Sequence, residues 1–344
     1  MTVPSSVDGV LVQWGERLFY PGNRIVRSDP TPRLSALSVG QRAAAVRARL
    51  EATVRRAPQV IVKVAGGGRG MKAIAAHFRY IAKGGRLPIE DDRGVVQQGK
   101  EELRDLVEQW RYGGSEIPET SPRREAFNTI LSMPRGTDPL VVQRAAREFA
   151  QEELAEHRYV MVLHDHQANP HVHLSVRAES RHGRRLNPRK ADLQRWRETF
   201  AEKLRGWGIE AEASRQATRG EFRNHPSPWR IRADREGRLR TPLRAIKTGA
   251  AAKQSRVNAI VAWAKIYYAL DASGQAEDRR LVDAIGRYVS QMPVAIARRK
   301  ELDRERQRDF SGRTVSAPPV MARDRGQRNI ERTARDRGQQ DIER

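Results

Sequence analysis

The segment His164-Asp165-His166-Gln167-Ala168-Asn169-Pro170-His171-Val172-His173 holds four of the eight histidines of a chain that has no cysteine. Asn169-Pro170 reads as a turn. Tyr159–Leu163 before it and Val172, Leu174 and Val176 after it read as β-strands. Side chains two apart on a strand share a face, so His171 and His173 project together while Val172, Leu174 and Val176 face the other way. A hairpin about the turn returns His164 beside them. Three imidazoles converging from neighbouring strands form a metal cradle, because neutral imidazole suits divalent first-row ions. Such an ion acts as a Lewis acid on a phosphoryl oxygen.

The elements that must position this hairpin follow from the flanking sequence. Pro58 introduces a strand, Val60–Val64, that runs into Gly66-Gly67-Gly68, and Met71–Lys83 reads as a helix stopped by Gly84-Gly85. A second helix, Glu101–Arg111, stops at Gly113-Gly114, and Phe127–Ser132 reads as a strand. Asp138 as N-cap and Pro139 at the first helical position open another helix. In it Val142, Ala145, Ala146 and Phe149 keep helical spacing. After the hairpin, Leu193, Trp196, Phe200, Leu204 and Trp207 form one stripe. This order predicts an α+β fold, an antiparallel sheet with helices on one face, leaving the other face to His171, His173, Ser175 and Arg177.

Three regions are expected: an extension at 1–57, a catalytic domain at 58–225 and a basic region at 226–344. The extension reads as a short β-like piece, Val10–Trp14, followed by an Arg/Ala-rich helix from Ser38 to Arg56. Residues 230–344 carry 27 Lys+Arg against 15 Asp+Glu, a net of +12. Helical islands are expected at Val257–Tyr268 and Arg279–Met292. The near-repeat Ala322–Gln327 and Ala334–Gln339, with alternating Arg and Asp and almost no apolar residue, is expected to be disordered.

The whole chain carries 65 Lys+Arg against 42 Asp+Glu, for +23. That excess points to a polyanionic partner, nucleic acid or an anionic membrane surface. No apolar run reaches the roughly 18 residues needed to span a bilayer, and no signal peptide opens the chain, so membrane insertion is not expected. The absence of cysteine excludes disulfides and thiolate metal sites and fits a cytoplasmic setting. Aromatics at 6% and a mean hydropathy of −0.73 exclude one compact core for the entire chain.

Three stretches together resemble the relaxases, the nickases that start conjugative plasmid transfer, in the class that includes the T-DNA border endonuclease. These belong to the HUH superfamily, named for the His-x-His present here as His171-Val172-His173. The first stretch ends Phe78-Arg79-Tyr80-Ile81-Ala82-Lys83-Gly84-Gly85, and the resemblance makes Tyr80 the nucleophile. The second, Ile130–Asp138, is similar to the family's serine motif, which implies that Ser132 holds DNA near the nick. The third matches the spacing of the three metal-binding histidines, His164, His171 and His173. The likeness runs from about Gln59 to Arg223, with the motifs in the family's order. It implies the relaxase palm, a ferredoxin-like or RRM-like sheet, and Mg²⁺ or Mn²⁺ as cofactor.

The chain also departs from the family. His166 stands where an acidic residue is usual, and the adjacent Asp165 is expected on the opposite face of its strand. Arg177 stands in place of a frequent asparagine, and some 57 residues precede the matching region. The implied reaction is transesterification: Tyr80 Oη attacks one strand at an origin of transfer, leaving a 5′-phosphotyrosyl link and a free 3′-hydroxyl. A free tyrosine, with a pKa of about 10, is a weak nucleophile at neutral pH. A metal or a histidine such as His166 is the expected source of help. Arg177, Arg181, Arg184, Arg185, Arg189 and Lys190 are expected to line a basic groove for single-stranded DNA. Accessory relaxosome proteins, a type IV coupling protein and the bacterial cytoplasm, with passage to a recipient cell, complete the implied setting.

Blander readings compete at each residue. Alone, Tyr80 is a residue of an amphipathic helix and Ser132 a polar strand end. Gly66-Gly67-Gly68 lacks the Lys-Ser/Thr of a phosphate loop. His77, His157, His182 and His225 read as solvated or structural. Competing functions are a rolling-circle replication initiator or transposase of the same superfamily, a non-catalytic basic DNA-binding protein, and a zinc metallohydrolase.

Overall fold

The computed structural model describes residues 6–19, 37–223, 226, 228–243 and 246–313. The Arg/Asp near-repeat and His225 lie outside the described residues. In chain order the elements are α1 (Val7–Phe19), α2 (Val39–Val54), β1 (Ile61–Gly66), α3 (Met71–Ile81), β2 (Ile89–Asp91), β3 (Val96–Gln97), α4 (Lys100–Tyr112) and β4 (Ala126–Ser132). There follow α5 (Pro139–Glu153), β5 (Tyr159–His164), β6 (His171–Arg177), α6 (Lys190–Gly206), α7 (Pro228–Arg235), α8 (Ala250–Asp271), α9 (Ala276–Ser290) and α10 (Pro293–Arg313).

The strands form one six-stranded sheet in the order β1-β4-β6-β5-β2-β3, antiparallel at every pairing. β5 and β6 make the expected hairpin, with His164 opposite His171 and Val162 opposite His173. On β6's other side Ser132 lies opposite His171 and Ile130 opposite His173. This register gives the two sheet faces different chemistry. Met161, Val172, Leu174 and Val176 pack with Val142, Ala146 and Phe149 of α5 and with Trp196, Phe200 and Leu204 of α6. The alternate residues, including the histidines, face away from that layer.

The α+β class and the antiparallel sheet hold. Helices on one face hold for α5 and α6, but α3 and α4 add a layer on the histidine side. Phe78, Ile81, Leu103 and Trp110 pack there with Val160 and Val162. The reason lies in β5, whose Val160 and Val162 share the histidine face, so that face is apolar at one end and needs cover. Only the part around the histidines is left for chemistry. The short strands β2 and β3 carry no periodic signal in the sequence. They are joined through a tight turn in which the Asp91 carboxylate accepts from the N–H groups of Arg93 and Val95.

The extension forms a second core. α1 and α2 pack with α8 and α9 through Leu11, Leu18, Phe19, Val46, Leu50, Trp263, Ile266, Leu270 and Ile285. Ser38 caps α2 in a capping box with Gln41. Val10–Trp14 is part of helix α1, which corrects the β-like reading. Five residues are too few to show the period, whereas the buried set Leu11, Val12, Gly15, Leu18 and Phe19 follows helical spacing. Arg49 of α2 ties this cluster to the sheet domain through Glu198 at 3.6 Å and Glu212 at 3.3 Å. Trp263 Nε1 donates to the Thr218 carbonyl at 2.7 Å.

Both helical islands exist, and α8 is longer than its apolar centre indicated. A separate unit begins at Arg298, where α10 continues as a charged helix with Arg298 and Glu301 paired at 2.7 Å. No helix among the described residues is long and apolar enough to cross a membrane.

Candidate active site

His164, His171 and His173 converge as the hairpin requires. Each offers one ring nitrogen, and the three nitrogens lie within 4.8 Å of one another. The ring centroids are 4.5 Å apart for His164 and His173 and 5.1 Å apart for the other two pairs. All three side chains are buried.

Two hydrogen bonds orient the set. His164 Nε2 lies 2.8 Å from the Ile81 carbonyl, and His171 Nδ1 lies 3.0 Å from the Asn169 carbonyl. A carbonyl only accepts, so these nitrogens carry the protons, and His164 Nδ1 and His171 Nε2 present lone pairs. His164 Nδ1 is buried without a hydrogen-bond partner. An orphaned lone pair beside two further imidazoles is the donor set that a divalent metal requires, so these residues fit one. Burial, then the neighbouring imidazoles, pushes His173 down to about 3, and burial lowers His164 as well, so both are neutral at physiological pH.

Helix α3 delivers Tyr80 to this cluster. Met71, Ile74, Phe78 and Ile81 form its buried stripe, which leaves Tyr80 on the outer face with 68% of its surface exposed. Its ring lies 6.2 Å from His173 at a nearly perpendicular angle. The bond from His164 to the Ile81 carbonyl joins the end of this helix to the triad. Beyond it the chain turns through Gly84 and Gly85, both at positive φ. At Gly85 a Cβ would collide with the Gly99 carbonyl, so only glycine allows the turn that ends the helix there.

Two groups near the site escaped the sequence reading. His77, set aside as solvated or structural, has its ring 6.2 Å from Tyr80 and 6.2 Å from His173. Burial lowers its pKa, and its Nε2 is buried without a partner. The signal was its position three residues before Tyr80, which places both on one helix face. Lys83 lies close enough to His164 for its charge to disfavour a second positive charge there.

The remaining expected residues divide by location. His166 is exposed on the turn, 5.1 Å ring to ring from His164, with no ring contact to Tyr80 among the described residues. Ser132 stands opposite His171 and donates to the Pro170 carbonyl at 3.2 Å. The arginine groove is not assembled at the triad. Arg177 ends β6, about 20 Å along the strand from His171 at roughly 3.3 Å per residue. It is 3% exposed, and its guanidinium donates to the carbonyls of Trp110 and Ser115. There it completes the C-terminus of α4, where a cation is favoured. Beyond it, Arg181 pairs with Asp92, Arg184 with Glu156, and Arg185 with Glu125 and Glu179. Arg189 and Lys190 are exposed where α6 begins.

Arg177→Ala is therefore expected to lower stability by about 2–4 kcal/mol, because it strands buried carbonyls. Urea melts check this, and a variant with an unchanged midpoint would contradict it.

The same strand end yields a pH dependence. Buried His157 donates from Nδ1 to the Arg177 carbonyl at 2.9 Å, and burial lowers its pKa. The unfolded chain then binds this proton more readily. Stability is thus full above the unfolded value near 6.5 and is lost as pH falls from there toward the folded value. One such proton amounts to about 1.4 kcal/mol per pH unit between the two values. His157→Gln should make the acid side of a Tm–pH curve shallower; an unchanged slope would remove His157 from the account.

Residues 90–209 match the family described as Relaxase, MobA/VirD2-like, nuclease domain. The match takes in Ser132 and the whole of His164–His173 and begins after Tyr80. No curated protein matches the chain. Residues 90–209, which include most of the antiparallel sheet and the whole histidine triad, are thus similar to the nuclease domain of MobA/VirD2-like relaxases.

Proposed function

We propose that this protein nicks one DNA strand at a plasmid origin of transfer by forming a 5′-phosphotyrosyl bond through Tyr80. The carrying observation is the position of Tyr80, exposed on α3 with its ring 6.2 Å from His173 of the triad. Nothing in the fold of α3 requires an aromatic residue on that outer face, since its core contacts come from the opposite stripe.

His164, His171 and His173 would hold the divalent ion, Mg²⁺ or Mn²⁺, and when bound it would draw electron density from a phosphoryl oxygen. Tyr80 Oη attacks phosphorus as the bond to the 3′ oxygen breaks. The product keeps a high-energy phosphodiester, so the reverse reaction rejoins the strand after transfer. Ser132 closes the floor beside His171 through its bond to the Pro170 carbonyl, and His166 stands at the rim as a donor to phosphate. Lys83 supplies positive charge beside the triad. The Arg181–Lys190 segment, remote from the triad, serves longer-range DNA contact.

Single-stranded or locally melted DNA is the substrate, because the scissile phosphate must enter a site set between α3 and the sheet. Accessory relaxosome proteins, a type IV coupling protein and a bacterial cytoplasmic setting belong to the same proposal. Its test is covalent capture. The protein is mixed with labelled single strands tiling its own plasmid's transfer region, with Mn²⁺ or with EDTA. A DNA-shifted band on a denaturing gel, lost with EDTA, is expected. Binding without any covalent band would favour a non-catalytic DNA-binding protein.

A further inference from the structure

His77 sits one turn before Tyr80, and side chains three apart on a helix leave the same face. The rings of His77, Tyr80 and His173 form a triangle with all three centroid separations at 6.2 Å. His77 Nε2 is buried and has no hydrogen-bond partner. A buried polar atom left unpaired costs about 1–3 kcal/mol, a cost that a proton donor reaching it during the reaction would remove. The metal-ligating cluster does not include it: among the described residues the convergent nitrogens belong to His164, His171 and His173 alone. Tyr80 is 68% exposed, and its ring lies beside that of His77. Catalytic hydrogen bonds are often unformed until substrate is bound.

We propose that His77 accepts the phenolic proton of Tyr80 during strand cleavage, a role that rests on Tyr80 being the nucleophile. As the Oη–P bond forms, the Oη proton passes to His77 Nε2. The P–O3′ bond breaks with its electron pair on the 3′ oxygen, which takes a proton from solvent. On rejoining, the 3′-hydroxyl loses a proton to solvent and attacks phosphorus, and the departing Tyr80 oxygen recovers its proton from His77. His166 is not needed for this step, since its ring neighbour is His164 rather than Tyr80.

The test uses the full chain, Mn²⁺ and the single-stranded probes described above. His77→Gln is expected to slow single-turnover adduct formation by about 10²–10⁴-fold, the usual contribution of a positioned base. Mn²⁺ binding and DNA binding should stay within about twofold. Placing 3,5-difluorotyrosine at position 80 makes the phenol more acidic. It should restore at least about tenfold of the His77→Gln rate while changing the unsubstituted protein by less than about threefold, as expected when the missing function is proton removal. The proposal is overturned by full-rate adduct formation in His77→Gln, by a large loss of Mn²⁺ affinity, which would make His77 a ligand, or by no relief from fluorination, which would make it structural. An adduct formed by Tyr80→Phe would instead overturn the underlying reading, as would no adduct on any probe, and His77 would fall with it.

Discussion

Tyr80→Phe removes one oxygen from an exposed side chain, and the expected result is loss of covalent DNA adduct by at least about 10³-fold with DNA affinity unchanged within about twofold. A covalent nucleophile has no substitute at its position, so the effect of its removal approaches the whole of the chemical step. Stability should not move. Tyr80 makes no core contact, and the α3 stripe of Met71, Ile74, Phe78 and Ile81 is untouched. The measurement pairs a denaturing gel with a binding titration on the same single strand. Retained adduct in the variant would show another nucleophile, and joint loss of adduct and binding would show that the hydroxyl serves DNA binding rather than attack.

The second large effect concerns the triad. His171→Ala is expected to lower Mn²⁺ affinity by about a hundredfold or more and to abolish nicking at micromolar metal. Removing even an outer hydrogen-bond partner of a ligand typically costs 10–100-fold, so removing a ligand should cost at least as much. His171 is preferred to His164 for this test because His164 also holds the Ile81 carbonyl and so the end of α3. Its loss would confuse metal binding with the placement of Tyr80. Calorimetry with Mn²⁺ and nicking at two metal concentrations separate the two terms. Unchanged affinity in the variant would exclude the triad as the metal site, and nicking that persists in EDTA would exclude a metal from the reaction.

The hairpin could be read from sequence because its logic is local. Strand alternation sets the faces of His171, His173, Val172, Leu174 and Val176, and a Pro-containing turn sets the return of His164. The same holds for α5, where Asp138, Pro139 and the spacing Val142, Ala145, Ala146, Phe149 define the helix start and its buried stripe. What failed was not local. That Arg177 completes the C-terminus of α4 depends on a contact with Trp110 and Ser115, far away in the chain. On β6 alone it looked like a cation on the DNA face.

His77 is illegible in the sequence for a related reason. A lone histidine on an amphipathic helix has no distinguishing pattern until Tyr80 and His173 are seen around it. The extension posed a third kind of difficulty. Leu11, Leu18 and Phe19 find their partners in Trp263, Ile266 and Leu270, and no spacing rule links residues so distant in sequence. β2 and β3, three and two residues long, are too short for any periodic signal.

The most direct test of the central claim is to map the attachment point of DNA on the protein. The covalent adduct formed with Mn²⁺ would be digested with nuclease and protease and the nucleotide-bearing peptide sequenced by mass spectrometry. The account predicts a single modified residue, Tyr80, linked through the 5′ phosphate. A nucleotide on Tyr112, on a histidine or on any other residue would contradict it.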